Sequence, residues 1–271
     1  MIVVTGASGN VGRALVQALA EAGEQVTAVS RNTTQVPDGV RHVRADLESP
    51  QTLREALNGA DALFLLTAGD DPHAILDLAE AGGVRRVVHL SSQGAGTRPE
   101  MYPHPRAFEE AVRNSGLDWT ILQPGGFFTN SYMWAEPIRA HRTAAAPFGD
   151  VALPFIDPAD IGEVAAAVLR EAGHTGRTYV LTGPAPVTPR ERAQAIGDAL
   201  GEPVEFVEQT REEARAQMVA FMPEIVADGT LTILGEPTDA ERQVSPDVER
   251  VLGCSPRDFA DWARRNAAVF K

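Results

Sequence analysis

The chain has 271 residues, which suits one large α/β domain or a domain with a smaller lobe, and at 44% apolar it can build a full core. A formal net charge of −13 opposes nucleic acid and anionic membrane as partners. Cys254 is the only cysteine, which excludes an internal disulfide and a cysteine-based metal site; it reads as a small packing residue, with a reactive thiol as the alternative. No apolar run is long enough to span a bilayer. Met1 opens a strand directly, with no charged segment before an apolar stretch, so a cytoplasmic protein is expected.

Met1-Ile2-Val3-Val4 reads as a short buried strand. Thr5-Gly6-Ala7-Ser8-Gly9-Asn10-Val11-Gly12 follows, and then Arg13 to Ala22 with apolar residues at helical spacing. A glycine-rich turn from strand to helix is a phosphate site. Gly6 allows the tight turn, Gly9 lets backbone approach a pyrophosphate, and Gly12 lets the helix pack on the strand. The helix N-terminus adds free N–H groups and a positive dipole end. The second strand, Gln25 to Ser30, ends at Arg31 with no acid. An acid there would accept from the ribose 2′-OH of NAD, whereas a cation meets the 2′-phosphate of NADP. Arg31 therefore favours NADPH over NADH.

Val40 to Arg44 is a third strand, followed by Ala45-Asp46-Leu47. Ser49 and Pro50 open a helix through Leu57. Ala62-Leu63-Phe64-Leu65-Leu66 is a continuous apolar strand, as expected of a parallel strand covered on both faces. A helix over Pro72 to Ala81 leads to the strand Arg86 to Leu90 and to Ser91-Ser92-Gln93-Gly94. A helix over Ala107 to Asn114 leads to the strand Asp118 to Leu122 and to Gln123-Pro124-Gly125-Gly126. The alternation predicts an α/β fold, a Rossmann-type doubly wound parallel sheet, whose strand ends Gly6, Arg31, Thr67, Ser91 and Pro124 line one cleft.

The segments TGASGNVGRALVQALAEAG, ADLESPQTLREALNGAD, VVHLSSQGA, EEAVRNSGLDWTILQPGGFFTN and IDPADIGEVAAAVL, with the tail VERVLGCSPRDFADWARRNAAVF, carry a family resemblance. The chain resembles an atypical short-chain dehydrogenase/reductase of the NmrA-like group over nearly its whole length. The resemblance implies a Rossmann domain, here 1–123 and 150–182, and a substrate-side lobe, 124–149 and 183–271. It implies Gly6, Ser8, Gly9, Asn10 and Val11 at the pyrophosphate, Arg31 at the 2′-phosphate, and Asp46 and Leu47 beside the adenine. Thr67 and Ala68 would follow the ribose path. Ser91, Ser92 and Gln93 would flank the nicotinamide ribose, although Ser91 and Ser92 also suit strand-end caps. Pro124, Gly125, Phe127 and Phe128 would form the wall near the nicotinamide. Members of the group include NADPH-dependent quinone, enone and imine reductases, and also proteins that bind NADP and only report on it.

One departure bears on mechanism. Lys271, the last residue, is the only lysine, so the Tyr-x-x-x-Lys pair of typical members is missing. The nearest string is Tyr102-Pro103-His104-Pro105-Arg106, in which two prolines argue against a helical Tyr/Arg face. Arginine stays protonated and is a poor acid. The expected activity is NADPH-dependent reduction of a quinone, enone or related carbonyl, with solvent, Tyr102 or His104 protonating the oxygen and Ser92 nearby. Two alternatives are a non-redox cyclase, isomerase or dehydratase on the same fold, and an NADP-binding sensor without turnover.

Phe127, Phe128, Tyr132, Met133 and Trp134 form an aromatic patch after the nicotinamide loop, and Met218, Phe221 and Met222 follow at helical spacing. They suit a flat apolar pocket, with Phe128, Trp134, Met218 and Met222 as its substrate contacts. The patch suits lobe core equally well, and the methionine stripe suits core better. The expected partner is thus an apolar, aromatic small molecule, with a homodimer allowed. Asp157, Asp160 and Glu163 read as a helix start, and no metal is expected.

Overall fold

The computed structural model describes all residues, Met1–Lys271. In chain order the elements are β1 (Ile2–Thr5), α1 (Asn10–Glu21), β2 (Val26–Ser30), β3 (Arg41–Arg44), α2 (Arg54–Leu57), β4 (Ala62–Leu66), α3 (Pro72–Gly82) and β5 (Arg86–Leu90). Then come α4 (Gln93–Thr97), α5 (Pro103–Asn114), β6 (Asp118–Pro124), α6 (Ala135–His141), β7 (Thr143–Ala146), α7 (Pro158–Arg170) and β8 (Arg177–Leu181). The last part holds α8 (Pro189–Leu200), β9 (Glu205–Glu208), α9 (Arg211–Met218), α10 (Glu224–Gly235), α11 (Asp239–Arg242), α12 (Asp247–Leu252) and α13 (Phe259–Asn266).

Seven parallel strands form one sheet in the order β3-β2-β1-β4-β5-β6-β8. The chain winds outward from β1 in both directions, the Rossmann arrangement expected from the sequence. Every residue of β1 and β2 is buried, because helices cover both faces. In the edge strand β3 the two arginines are exposed and guard the open edge. One apolar cluster joins α1, α7 and α12 to the sheet, and a second joins α2, α3 and α5 to the other face. Parallel pairing puts all the strand C-ends on one edge, where the cleft lies.

A third cluster lies apart from these two. Phe128, Trp134, Leu153, Phe155, Phe259 and Trp262 belong to it, together with Ile196 of α8. A two-stranded parallel sheet of β7 and β9, not foreseen from the sequence, borders this lobe. Helix α8 starts with a capping box, Thr188 with Glu191, and stops at Gly201 with φ 72°. The carboxylates at the start of α7 are engaged locally. Asp157 accepts from the Ala159 amide and pairs with Arg265, while Asp160 and Glu163 pair with Arg257. The C-terminal tail is clasped to α7 by these contacts.

One local expectation fails. Helix α5 begins at Pro103, four residues before the expected Ala107, with Tyr102 as its N-cap residue. Pro103 and Pro105 sit in the first turn, where the missing N–H groups have no helical acceptor to lose. The prolines start this helix rather than interrupt it.

Candidate cofactor and substrate site

The turn after β1 is shaped by steric limits. Gly6 has φ +64°, and a Cβ there would lie 2.1 Å from the Leu66 side chain. A Cβ on Gly12 would lie 2.1 Å from the Gly6 carbonyl oxygen, so α1 approaches the turn as closely as backbone allows. The Gly9 amide donates to the Gly6 carbonyl at 2.9 Å and closes the turn. No side chain caps α1, and no acid stands in its first turn. Its N-terminal N–H groups are open to an anion. Ser8, Gly9 and Asn10 are exposed beside it, while Val11 is buried. Asn10 donates to Thr129 Oγ1 at 3.1 Å, which ties the turn to the lobe.

At the C-ends of β2 and β3 stand two arginines. Arg31 is exposed, as expected, and Arg44 Nε donates to the Arg31 carbonyl at 2.9 Å. Neither guanidinium has a carboxylate partner, and the terminal N–H groups of both are left for a phosphate. Arg44 was missed in the sequence, although parallel register sets it directly opposite Ser30. The Asp46 amide donates to Thr52 Oγ1, and the Leu47 carbonyl packs so closely on Gly69 that a Cβ there would lie 2.3 Å away. Thr67 Oγ1 donates to the Leu90 carbonyl at 3.0 Å, pinning the end of β4 to β5, with Ala68 half-buried next to it.

A buried carboxylate organises the ends of β5 and β6. Glu109 of α5 accepts from Ser91 Oγ at 2.5 Å and Gln123 Nε2 at 2.7 Å, and pairs with Arg113 at 2.9 Å. The Ser91 hydroxyl is thus committed to Glu109 and its amide to the Leu122 carbonyl, so neither donor is left for the cleft. Ser92 caps α4 by accepting from the Gly94 amide at 3.2 Å, and its residue also lines the cavity. Gln93, Pro124, Gly125 and Gly126 line the same cavity. Phe127 pairs with Ile156 across the start of the lobe and packs against the sheet core.

The cavity measures about 530 Å³ and runs from these strand ends into the lobe. Trp134, Met218 and Met222 line it, together with Met133 and Phe221. Phe128 does not. It is 1% exposed and packs edge-on to Phe259 at 5.1 Å, a part of the lobe core rather than of the substrate wall. Tyr132 likewise stacks on Trp262. Tyr102 lines the cavity, with its hydroxyl 3.4 Å from Thr230 Oγ1 of α10. His104 does not reach the cavity. It is exposed on α5, with Nε2 donating to the Gly69 carbonyl at 2.7 Å and its ring edge-on to Phe108. Two positions beyond Tyr102, the N-cap residue, it points away from the cavity along α5. Arg106 faces solvent and pairs with Glu110.

Residues 6–172 match the NAD(P)H-binding family profile. The chain belongs to this NAD(P)H-binding family. It is 35% identical to a (4-alkanoyl-5-oxo-2,5-dihydrofuran-3-yl)methyl phosphate reductase of Streptomyces griseus, over 100% of this chain and 99% of that one. It is 33% identical to an NAD(P)H azoreductase of Xenophilus azovorans, with the same coverage. Its fold matches the NADPH-dependent quinone oxidoreductase QOR2 of Escherichia coli in complex with NADPH, with a TM-score of 0.80 at 23% identity, covering 98% of this chain and 99% of that one. The NmrA-like, atypical short-chain dehydrogenase/reductase resemblance read from the sequence agrees with these findings.

Three polar groups of this NAD(P)H-binding protein have unusual settings. Burial holds the Tyr102 hydroxyl above its ordinary pKa, so it stays protonated at neutral pH. His89, near the C-end of β5, is pushed down to about 4 by burial and is neutral, with Nδ1 3.1 Å from the Leu65 carbonyl. Arg192 of α8 lines the cavity and is buried without a counter-ion. It too was missed, although the sequence holds a signal. Pro189, Arg192, Ala193, Ile196 and Gly197 share one helical stripe, and Arg192 is its only charge. No helix is long and apolar enough to cross a membrane.

Proposed function

We propose that the protein is an NADPH-dependent reductase of a quinone, enone or related carbonyl on an apolar, aromatic small molecule. One observation carries this reading: an apolar cavity of about 530 Å³ opens from the strand ends that follow the phosphate turn. The two full-length relatives named as reductases support it.

Gly6, Ser8, Gly9, Asn10 and Val11 hold the pyrophosphate through the uncapped start of α1. Arg31 and Arg44 grip the 2′-phosphate, and the absence of an acid at the end of β2 removes the usual NAD contact. Asp46 and Leu47 border the adenine, and Thr67 and Ala68 border the ribose path. Ser92, Gln93, Pro124, Gly125 and Phe127 border the nicotinamide end. When bound, NADPH supplies a hydride. Trp134, Met218 and Met222 exclude water from the acceptor and hold it flat against the strand ends. Tyr102 donates a hydrogen bond to the substrate oxygen, and a proton from Tyr102 or solvent completes the hydroxyl. No lysine lowers the tyrosine pKa, so the acceptor must be one that needs little acid help, as quinones and enones do. In this reading residues 1–123 and 150–182 serve the cofactor, and 124–149 and 183–271 serve the substrate.

The test is a fluorescence titration with NADPH and NADH, followed by NADPH oxidation with a quinone and enone series. Tighter NADPH binding and turnover of at least one acceptor are expected. Folded protein that binds neither cofactor, or binds NADPH and turns over no acceptor, would remove the reading.

A further inference from the structure

Arg192 is 6% exposed. Its guanidinium lies over the ring faces of Phe155 at 4.5 Å and Trp134 at 5.1 Å. It makes one hydrogen bond, from Nη1 to Ser131 Oγ at 3.3 Å, and its buried Nε has no partner. No carboxylate stands within ion-pair distance. The other charged residue of the cavity, Glu241, is 1% exposed and held by Arg98 through bonds of 2.8 and 2.9 Å. Arg192 is thus the one unpaired charge of the cavity.

A buried charge without a partner is strongly disfavoured, and two aromatic faces offset only part of that cost. Burial brings the guanidinium down to about 10, so it still carries its charge at neutral pH. Five N–H donors in a planar fork, one of them used, match the two oxygens of a carboxylate or phosphate. The cofactor's own phosphates are not candidates, since the open N-terminus of α1 and the Arg31–Arg44 pair lie at the phosphate turn and the β2 edge, while Arg192 projects from α8 in the lobe.

We infer that Arg192 forms an oxyanion subsite for a carboxylate or phosphate group on an otherwise apolar substrate. The inference rests on the cavity being the substrate site. It adds a requirement the apolar lining does not contain: the true substrate is amphiphilic, with a flat apolar body and one anionic group meeting the free N–H edge of the Arg192 guanidinium, whose faces are covered by Trp134 and Phe155.

The test is calorimetric binding to protein saturated with NADP⁺, so turnover is not needed. Two probe pairs are compared: naphthoate against methyl naphthoate, and naphthylmethyl phosphate against naphthylmethanol. At least one anion should bind tenfold or more tightly than its neutral counterpart, and the preferred pair identifies carboxylate or phosphate. Arg192→Met should abolish the preference, and Arg192→Lys should keep part of it. Equal binding within both pairs in the wild type overturns the inference, as does a preference that survives in Arg192→Met. The wild-type comparison decides the matter even if Arg192→Met does not fold. An NADP⁺ titration run before the probes reports separately on the cofactor reading.

Discussion

Replacing Arg31 and Arg44 by methionine, singly and together, should separate the two nicotinamide cofactors. Both guanidiniums are free of carboxylates, and Arg44 spends only its Nε on the Arg31 carbonyl. A unit charge pair about 4 Å apart in water is worth ~1 kcal/mol. A phosphate monoester carries a charge of about −1.5 to −2 at neutral pH. Each arginine then contributes about 1.5–2 kcal/mol toward NADPH, a roughly ten- to thirtyfold change in Kd. The double variant should lose more than either single. It should fall short of the product of the singles, because Arg44→Met also releases the carbonyl that positions Arg31. Fluorescence titration at one fixed ionic strength gives all the values, since exposed charges are screened by salt. NADH, which lacks the phosphate, should bind all variants alike. Equal weakening of NADH, or a double variant that still prefers NADPH as the wild type does, would refute the assignment.

Tyr102→Phe should lower kcat at least tenfold and leave NADPH affinity unchanged, and an unchanged kcat would show that solvent alone protonates the product. Phe128→Ala should cost about 3–5 kcal/mol of stability, on the order of a 10 °C fall in Tm, because the ring is lobe core. Its KM effect should not exceed that of an unrelated core truncation, and a selective loss of substrate binding would restore Phe128 to the cavity wall. His89 titrates near 4 in the folded chain against 6.5 ordinarily, so the unfolded chain binds more protons between those values. Stability should therefore fall as pH drops from about 6.5 to about 4, by about 3 kcal/mol from this group, and change no further below. Denaturant midpoints of His89→Leu should lack that slope, and an identical slope would place the titration elsewhere.

The sheet and the phosphate turn were legible because their signals are local. Apolar runs of strand length, glycines at fixed offsets and a following helical stripe all lie within a few residues of one another. Arg31 was legible for the same reason, as the end of a strand. Arg44 was not, because its place beside Arg31 comes from the parallel register of β2 with β3. Tyr102 and His104 lie in one proline-rich string, and only the true start of α5 shows that they face different ways. The aromatic patch was divided by the third dimension too. Trp134 went to the cavity and Phe128 to the core, a choice set by Phe259 and Trp262, more than a hundred residues away. Arg192 needed the opposite step, since a charge on an apolar stripe looks like an error until the cavity it faces is seen.

The ring of Tyr102 is wedged between two glycines from distant parts of the chain. A Cβ on Gly94 would lie 2.6 Å from it, and a Cβ on Gly229 of α10 would lie 3.5 Å from the ring and 3.0 Å from Met101. Position 229 therefore works as a spacer. Its bulk sets how closely α10 packs on Met101 and Tyr102 at the wall of the cavity. A graded series there, from glycine through alanine to serine, would calibrate the gap in steps of tenths of an ångström. Engineers seeking wider or narrower acceptors could tune this shim and leave the chemistry alone.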